Sequence, residues 1–297
     1  TAGNVSITAE SVKMTLSQIV TDSFDFEQQI GRAGDIILNA SDITLNNSAF
    51  SAAGQERGGA ITINTNHLMA DNSQIVGQTA HEPGEAITVT GNIIELTRGS
   101  SFVSSTGGDG NAGPIEITAS DHIGLSGGSA TDRPSGIFSN SFGTFGSLGN
   151  AGDIRITTPR LEMTGGGRIN TTTSTSGRGG DVSITSPQMI SISGETGGFA
   201  PEPLFSLGTI QPSGIFTLTI GGECVGPCGN AGNVSLSTGA LAMGSGAQIN
   251  SGTSSTGQGG SITVNARDTI SINGTLSNGQ PAGMLSRTIG SDPDSGT

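Results

Sequence analysis

Apolar residues recur along the chain in short alternating runs, each introduced by a glycine-rich turn. Nine runs begin at Val5, Ile36, Ile61, Ile87, Ile115, Ile154, Val182, Val234 and Ile262, and each has a second aliphatic residue two positions on, from Ile7 in the first to Val264 in the last. Alternation with period two is the pattern of a half-buried strand. A second run follows in every unit, at Met14/Leu16, Ile43/Leu45, Leu68/Ala70, Ile94/Leu96, Ile123/Leu125, Leu161/Met163, Ile190/Ile192, Leu241/Met243 and Ile270/Ile272. A third, shorter run has Ile19, Phe50, Ile75, Phe102, Ile137, Ile169, Ile215, Ile249 and Met284 as its apolar member.

Most intervals between first-run anchors fall between 25 and 31 residues, with two longer. A period in this range, in units too small to hold a core of their own, marks a solenoid in which each unit is stable only against its neighbours. The predicted fold is all-β: a right-handed parallel β-helix of about nine coils with three strands per coil, stacked as three parallel sheets over residues 1–297. At about 4.8 Å per coil it forms a rod roughly 40 Å long. The corner motifs "GNAG" at Gly110, Gly149 and Gly229, and "GRGG" at Gly177, are expected to supply positive backbone angles. Collagen would need glycine at every third position, and the calcium-binding β-roll would need glycine-rich nonapeptides; neither pattern occurs. A left-handed hexapeptide helix would have shorter coils, of about 18 residues.

Composition agrees with this reading. Fifty glycines, ten phenylalanines and no tryptophan or tyrosine argue against both long helices and a thick conventional core. The formal charge of −13, with 11 thinly spread Lys and Arg residues, disfavours a nucleic-acid partner. No apolar run approaches the roughly 20 residues of a membrane-spanning helix, and Thr1 begins in mid-pattern without a signal peptide. The expectation is a segment of a longer chain.

The units "GNAGNVSLSTGALAMGSGAQINSGTSSTGQG" and "GSITVNARDTISINGTLSNGQPAGMLSRT" resemble the repeats of the filamentous haemagglutinin family of large exoproteins, in particular cyanobacterial ones. The resemblance covers essentially the whole chain. It rests on paired coils, a short one of the "GAQIN" kind followed by a long one such as "PSGIF" at Pro134 and Pro212 or "PAGML" at Pro281. It implies two-partner secretion through an outer-membrane transporter, recognised by an amino-terminal domain that is not in this segment. It further implies an extracellular or cell-surface location and adhesion to cell-surface or matrix components, polysaccharide among them.

The outward positions offer little chemistry. Glu116 and Arg155 share a slot in adjacent coils and are expected to form a weak cross-strand ion pair. Glu95 and Glu162 share a column two coils apart, roughly 10 Å by stacking, which is the nearest approach to the paired carboxylates of a glycosidase. Gly124 lies between them and no aromatic platform flanks them, so they read as solvated glutamates. His67, His81 and His122 fall in apparent corner segments as solvated side chains, with no recurring nucleophile, base and orienting acid around them. Cys224 and Cys228, the only cysteines, suit a small local disulfide in an exported protein; a zinc site would need two more ligands. No catalytic residue, cofactor site or metal site is assigned.

Three insertions, at 126–136, 193–214 and 273–283, leave one corner on alternate coils and are expected to line up as loops along one edge. The middle one holds Phe199, Leu204, Phe205, Leu207 and Ile210, a candidate partner-binding loop. The same apolar groups could instead fold back over the neighbouring sheet. The function expected is that of a structural and adhesive β-helix, not an enzyme, able to stack end to end. The alternative is a β-helix that binds or cleaves polysaccharide.

Overall fold

The computed structural model describes residues 1–24, 31–129, 133–143, 148–197, 210–220, 224 and 228–289. Every regular element among them is a strand. The strands wind into a parallel β-helix of nine coils. The first-run anchors Val5, Ile36, Ile61, Ile87, Ile115, Ile154, Val182, Val234 and Ile262 pair in succession without a single offset. The third-run residues stack as strictly, from Ile19 on Phe50 to Ile249 on Met284. In the middle coils these inward columns are fully buried, including Ile61, Ile87, Ile115 and Phe102 at 0% exposure.

Two stacked sheets carry the three runs, not three. In seven coils the first and second runs are one bent strand of 11 or 12 residues, such as Val5–Thr15 and Ile115–Ser126. They separate only as Ile61–Asn64 with His67–Asp71 and as Ile154–Thr157 with Arg160–Thr164. The bend between them is shallow enough for the ladder to run through it. It shows as a register shift at Ala119/His122, Ser186/Met189 and Thr238/Ala240. The break in coil 6 falls at Pro159, which has no N–H to donate.

The second run of coil 1 is Val12 and Met14, which pair with Ile43 and Leu45; Met14/Leu16 is out by two residues. Leu16 occupies the next corner, 81% exposed with φ of 50°, in the slot that Asn47 and Asn72 fill above it. Alternation alone could not separate these registers, because both place apolar residues two apart.

The corner glycines correct another expectation. None of Gly110, Gly149, Gly177 or Gly229 has positive φ. They form a column in which the backbone of each coil lies directly on the one before. A Cβ on Gly149, Gly177 or Gly229 would collide with the carbonyl of Gly110, Gly149 or Gly177, respectively. A parallel column does the same through Gly152, Gly180, Gly232 and Gly260. Close approach, not backbone handedness, excludes a side chain here.

Side chains beside these glycines complete the corner. Asp153 Oδ1 accepts the Asp181 N–H at 3.0 Å, Asp181 Oδ1 the Asn233 N–H at 2.7 Å, and Asn233 Oδ1 the Ser261 N–H at 2.9 Å. Inside, Thr171, Thr217 and Ser251 donate to the carbonyls of Gly180, Gly232 and Gly232 at 2.6–2.7 Å. The interior next to the glycine corner is therefore polar, with these three hydroxyls satisfied by the corner carbonyls.

Candidate functional site: the ridge of long corners

The long corners of coils 5, 7 and 9 share one construction. Each begins at a left-handed glycine: Gly127 (φ 71°), Gly194 (φ 80°) or Gly274 (φ 79°). The following residue pairs antiparallel with the proline that closes the loop, Gly128 with Pro134, Glu195 with Pro212 and Thr275 with Pro281. The residue after that, Ser129, Thr196 or Leu276, lies over the tight corner of the preceding coil. Room for it comes from Gly99, Gly166 and Gly246: a Cβ on Gly99 would sit 2.6 Å from that of Ser129, and those on Gly166 and Gly246 would collide with Thr196 and Leu276. Those tight corners have two successive left-handed residues, Arg98–Gly99, Gly165–Gly166 and Ser245–Gly246.

This geometry explains the "PSGIF" segment residue by residue. Pro134 and Pro212 close the neck. Ser135 Oγ accepts the Gly99 N–H at 2.8 Å, and Ser213 Oγ accepts the Gly166 N–H at 2.9 Å, tying each long corner to the tight one before it. Gly136 and Gly214 lie against the carbonyls of Arg168 and Gln248 in the next coil, where a Cβ would collide, and the rings of Phe138 and Phe216 also fold back to 3.0 and 2.9 Å from that position. Ile137 and Ile215 point into the core at 0% exposure. In "PAGML", Ala282 stands in the serine position and has no hydroxyl to accept that bond.

The necks also touch one another. The Ser277 N–H donates to Glu195 Oε2 at 3.1 Å, joining coil 9 to coil 7. Thr196 reaches the other way, its Oγ1 2.8 Å from the Cβ position of Gly128 in coil 5. The buried Arg168 pins the middle neck: its Nε donates to the Pro212 carbonyl at 3.1 Å and its guanidinium lies 4.8 Å from the Phe216 ring centroid. Phe199, Leu204, Phe205 and Leu207 lie outside the described residues; Ile210 opens the short strand Ile210–Pro212. A disulfide joins Cys224 to Cys228 with Cα atoms 5.3 Å apart. It lies within one corner of coil 7 and touches the coils on either side, with Cys224 Sγ 3.3 Å from the Thr175 carbonyl and the Cys228 N–H donating to Thr256 Oγ1 at 3.1 Å.

No family model, curated protein or solved structure matches this chain. No helix among the described residues is long and apolar enough to cross a membrane.

Two of the three acidic candidates, Glu95 and Glu116, are held by neighbours. Glu116 lies 3.6 Å from Arg155, whose closer partner is Asp153 at 2.9 Å. Glu95 and Glu162 both register on Gly124, from opposite sides. Glu95 Oε1 is 2.5 Å from His122 Nε2, and its carboxylate lies over Gly124 where a side chain would collide with it. His67 opens the strand His67–Asp71, 2.9 Å from Asp42, and His122 sits within Ile115–Ser126, so these two belong to strands rather than corners. The bend between first and second runs carries polar residues, so in the sequence these positions look like corners. Burial pushes the Asp181 carboxyl up, but the Arg178 guanidinium and the amides of Asn233 outweigh it and hold the carboxyl below its usual range. The hydrogen bond from Arg32 holds Glu56 down in the same way.

Thr196, Arg168 and Leu276 escaped the sequence reading. Their signal was indirect: a glycine pair in one coil marks the seat for a side chain of the next.

Proposed function

We propose that this chain is a structural and adhesive rod, part of a secreted or surface-displayed exoprotein of the filamentous haemagglutinin kind, whose long corners are its contact surface. The observation that carries the reading is the ridge. Three loops on alternate coils share one neck geometry, lock into the tight corners before them and touch one another through Glu195, Thr196 and Ser277. Such a scaffold holds the loop necks at fixed spacing, which favours binding through many weak contacts made together. The loop that contains Phe199, Leu204, Phe205, Leu207 and Ile210 is the contact element proposed for a cell-surface or matrix partner. Export of the parent chain would pass through its outer-membrane transporter.

Replacing residues 195–211 with a short glycine-serine turn tests this. Attachment of the chain to cells and to polysaccharide-coated surfaces should fall at least tenfold while the far-UV circular dichroism of the rod persists. Unchanged attachment would overturn the proposal. Release of reducing ends from a polysaccharide panel would favour an enzyme instead.

A further inference from the structure

The edge that carries the ridge continues past it, and over coils 1 to 3 it is bare. A groove of about 460 Å³ runs there. One bank is the left-handed column of Leu16, Asn47 and Asn72, and the other is the column Gln18, Ala49, Gln74. The neck of coil 5 closes one end with Arg133, which reaches back to Asn72 Oδ1 at 3.4 Å.

Three features of this groove point to a ligand. First, Ala49 between Gln18 and Gln74 leaves a gap floored by a methyl group, and the two carboxamides beside it have no hydrogen-bond partner among the described residues. The amides of Asn47 and Asn72, by contrast, are engaged, Asn72 Nδ2 donating to Asn47 Oδ1 at 2.6 Å. Second, Arg133 has no carboxylate within ion-pair distance among the described residues, whereas Arg32, Arg57, Arg98, Arg155, Arg160 and Arg178 each have one. Third, Leu16 holds a backbone conformation that costs a β- or γ-substituted residue about 1–2 kcal/mol, and it presents an apolar side chain to water at 81% exposure. Asn47, Asn72, Arg98 and Ser245 share that conformation; what sets Leu16 apart is an exposed apolar side chain beside free amides.

We propose that the groove binds a glycan segment bearing a carboxylate, laid along the rod edge with its acid group on Arg133. Free amides match sugar hydroxyls as both donors and acceptors. The C–H face of a sugar ring covers Leu16, and the planar guanidinium fork suits a carboxylate. This site is separate from the long-corner tips, so it stands or falls apart from surface attachment by the ridge.

Titration calorimetry on the folded chain with oligogalacturonate, and with a neutral oligosaccharide of equal length, tests it. The acidic ligand should bind at least tenfold more tightly at low salt. Arg133→Gln should abolish that preference, and Gln74→Ala should weaken both ligands at least fivefold; circular dichroism confirms that each variant is folded. Absence of binding by both ligands, equal affinity for the two in the parent chain, or binding unaffected by the two substitutions would each overturn the proposal. A loss of attachment without loss of oligosaccharide binding would instead locate adhesion on the ridge alone.

Discussion

Gly180→Ala adds one methyl group where one coil lies backbone on backbone against the next. The new Cβ would collide with the Gly152 carbonyl oxygen, lie 2.6 Å from its carbon and 3.2 Å from the Asp153 nitrogen. All three are backbone atoms, so no rotamer change relieves the clash, and coils 6 and 7 must separate locally. Overpacking of this kind costs roughly 1–3 kcal/mol. The flanking bonds, Ala151 N–H to Arg178 O at 3.0 Å and Ile154 N–H to Asp181 O at 2.9 Å, lengthen with it, and each is worth about 0.5–1.5 kcal/mol. Lower entropy of the unfolded chain returns about 0.4–1 kcal/mol. The net loss is about 2–3 kcal/mol. Gly3, which has nothing within 4 Å of its Cβ position and no positive φ, supplies the control: there only the entropic term remains and alanine should stabilise slightly. Because the chain has neither tryptophan nor tyrosine, urea unfolding is followed by far-UV circular dichroism. With a slope of about 3 kcal/mol/M, the Gly180 variant should unfold roughly 0.7–1 M earlier than the parent. Equal midpoints for the Gly180 and Gly3 variants would refute the close-approach account of the corner.

Gly246→Ala should destabilise twice over, through its positive φ of 72° and through collision with both the side chain and the backbone nitrogen of Leu276; Leu276→Ala removes only the side-chain part, so a double-mutant cycle should recover part of the loss, and strict additivity would contradict the side-chain lock between coils 8 and 9. Asp181 has a lowered folded-state pKa, so its contribution to stability is complete above the unfolded value of about 3.9 and is lost as pH falls through the lower folded value. Asp181→Asn should therefore flatten the fall in urea midpoint below pH 4, and an unchanged acid profile would exclude the assigned role. The inward residues of coils 1 and 9 are partly uncovered, with Ile270 and Ile272 48% and 43% exposed, and each stacked sheet ends there, among the described residues, in a strand paired on one side only. The isolated chain should associate along its axis with rising concentration in light scattering, and a strictly monomeric profile would refute this.

Alternation, period and glycine placement were enough to determine nine coils, three runs and the identity of nearly every inward residue, because burial in a stacked coil selects aliphatic side chains at alternate positions with few exceptions. The one slip, Leu16 for Val12, occurred where a leucine occupies an exposed left-handed corner and mimics the core pattern. The insertions, too, could be placed on one edge from their spacing. Only the tertiary structure decided why the glycines are there. Gly149 and Gly246 look alike in sequence, yet one is required by the backbone of the neighbouring coil and the other by handedness and a leucine 30 residues later. The pairing of Glu95 with His122, the seat of Thr196 on Gly166 and the bare groove beside Arg133 likewise join residues from different coils. Such contacts depend on which side chains the stacking brings to one level of the rod, and that information is carried by the spacing between coils rather than by any single stretch of chain.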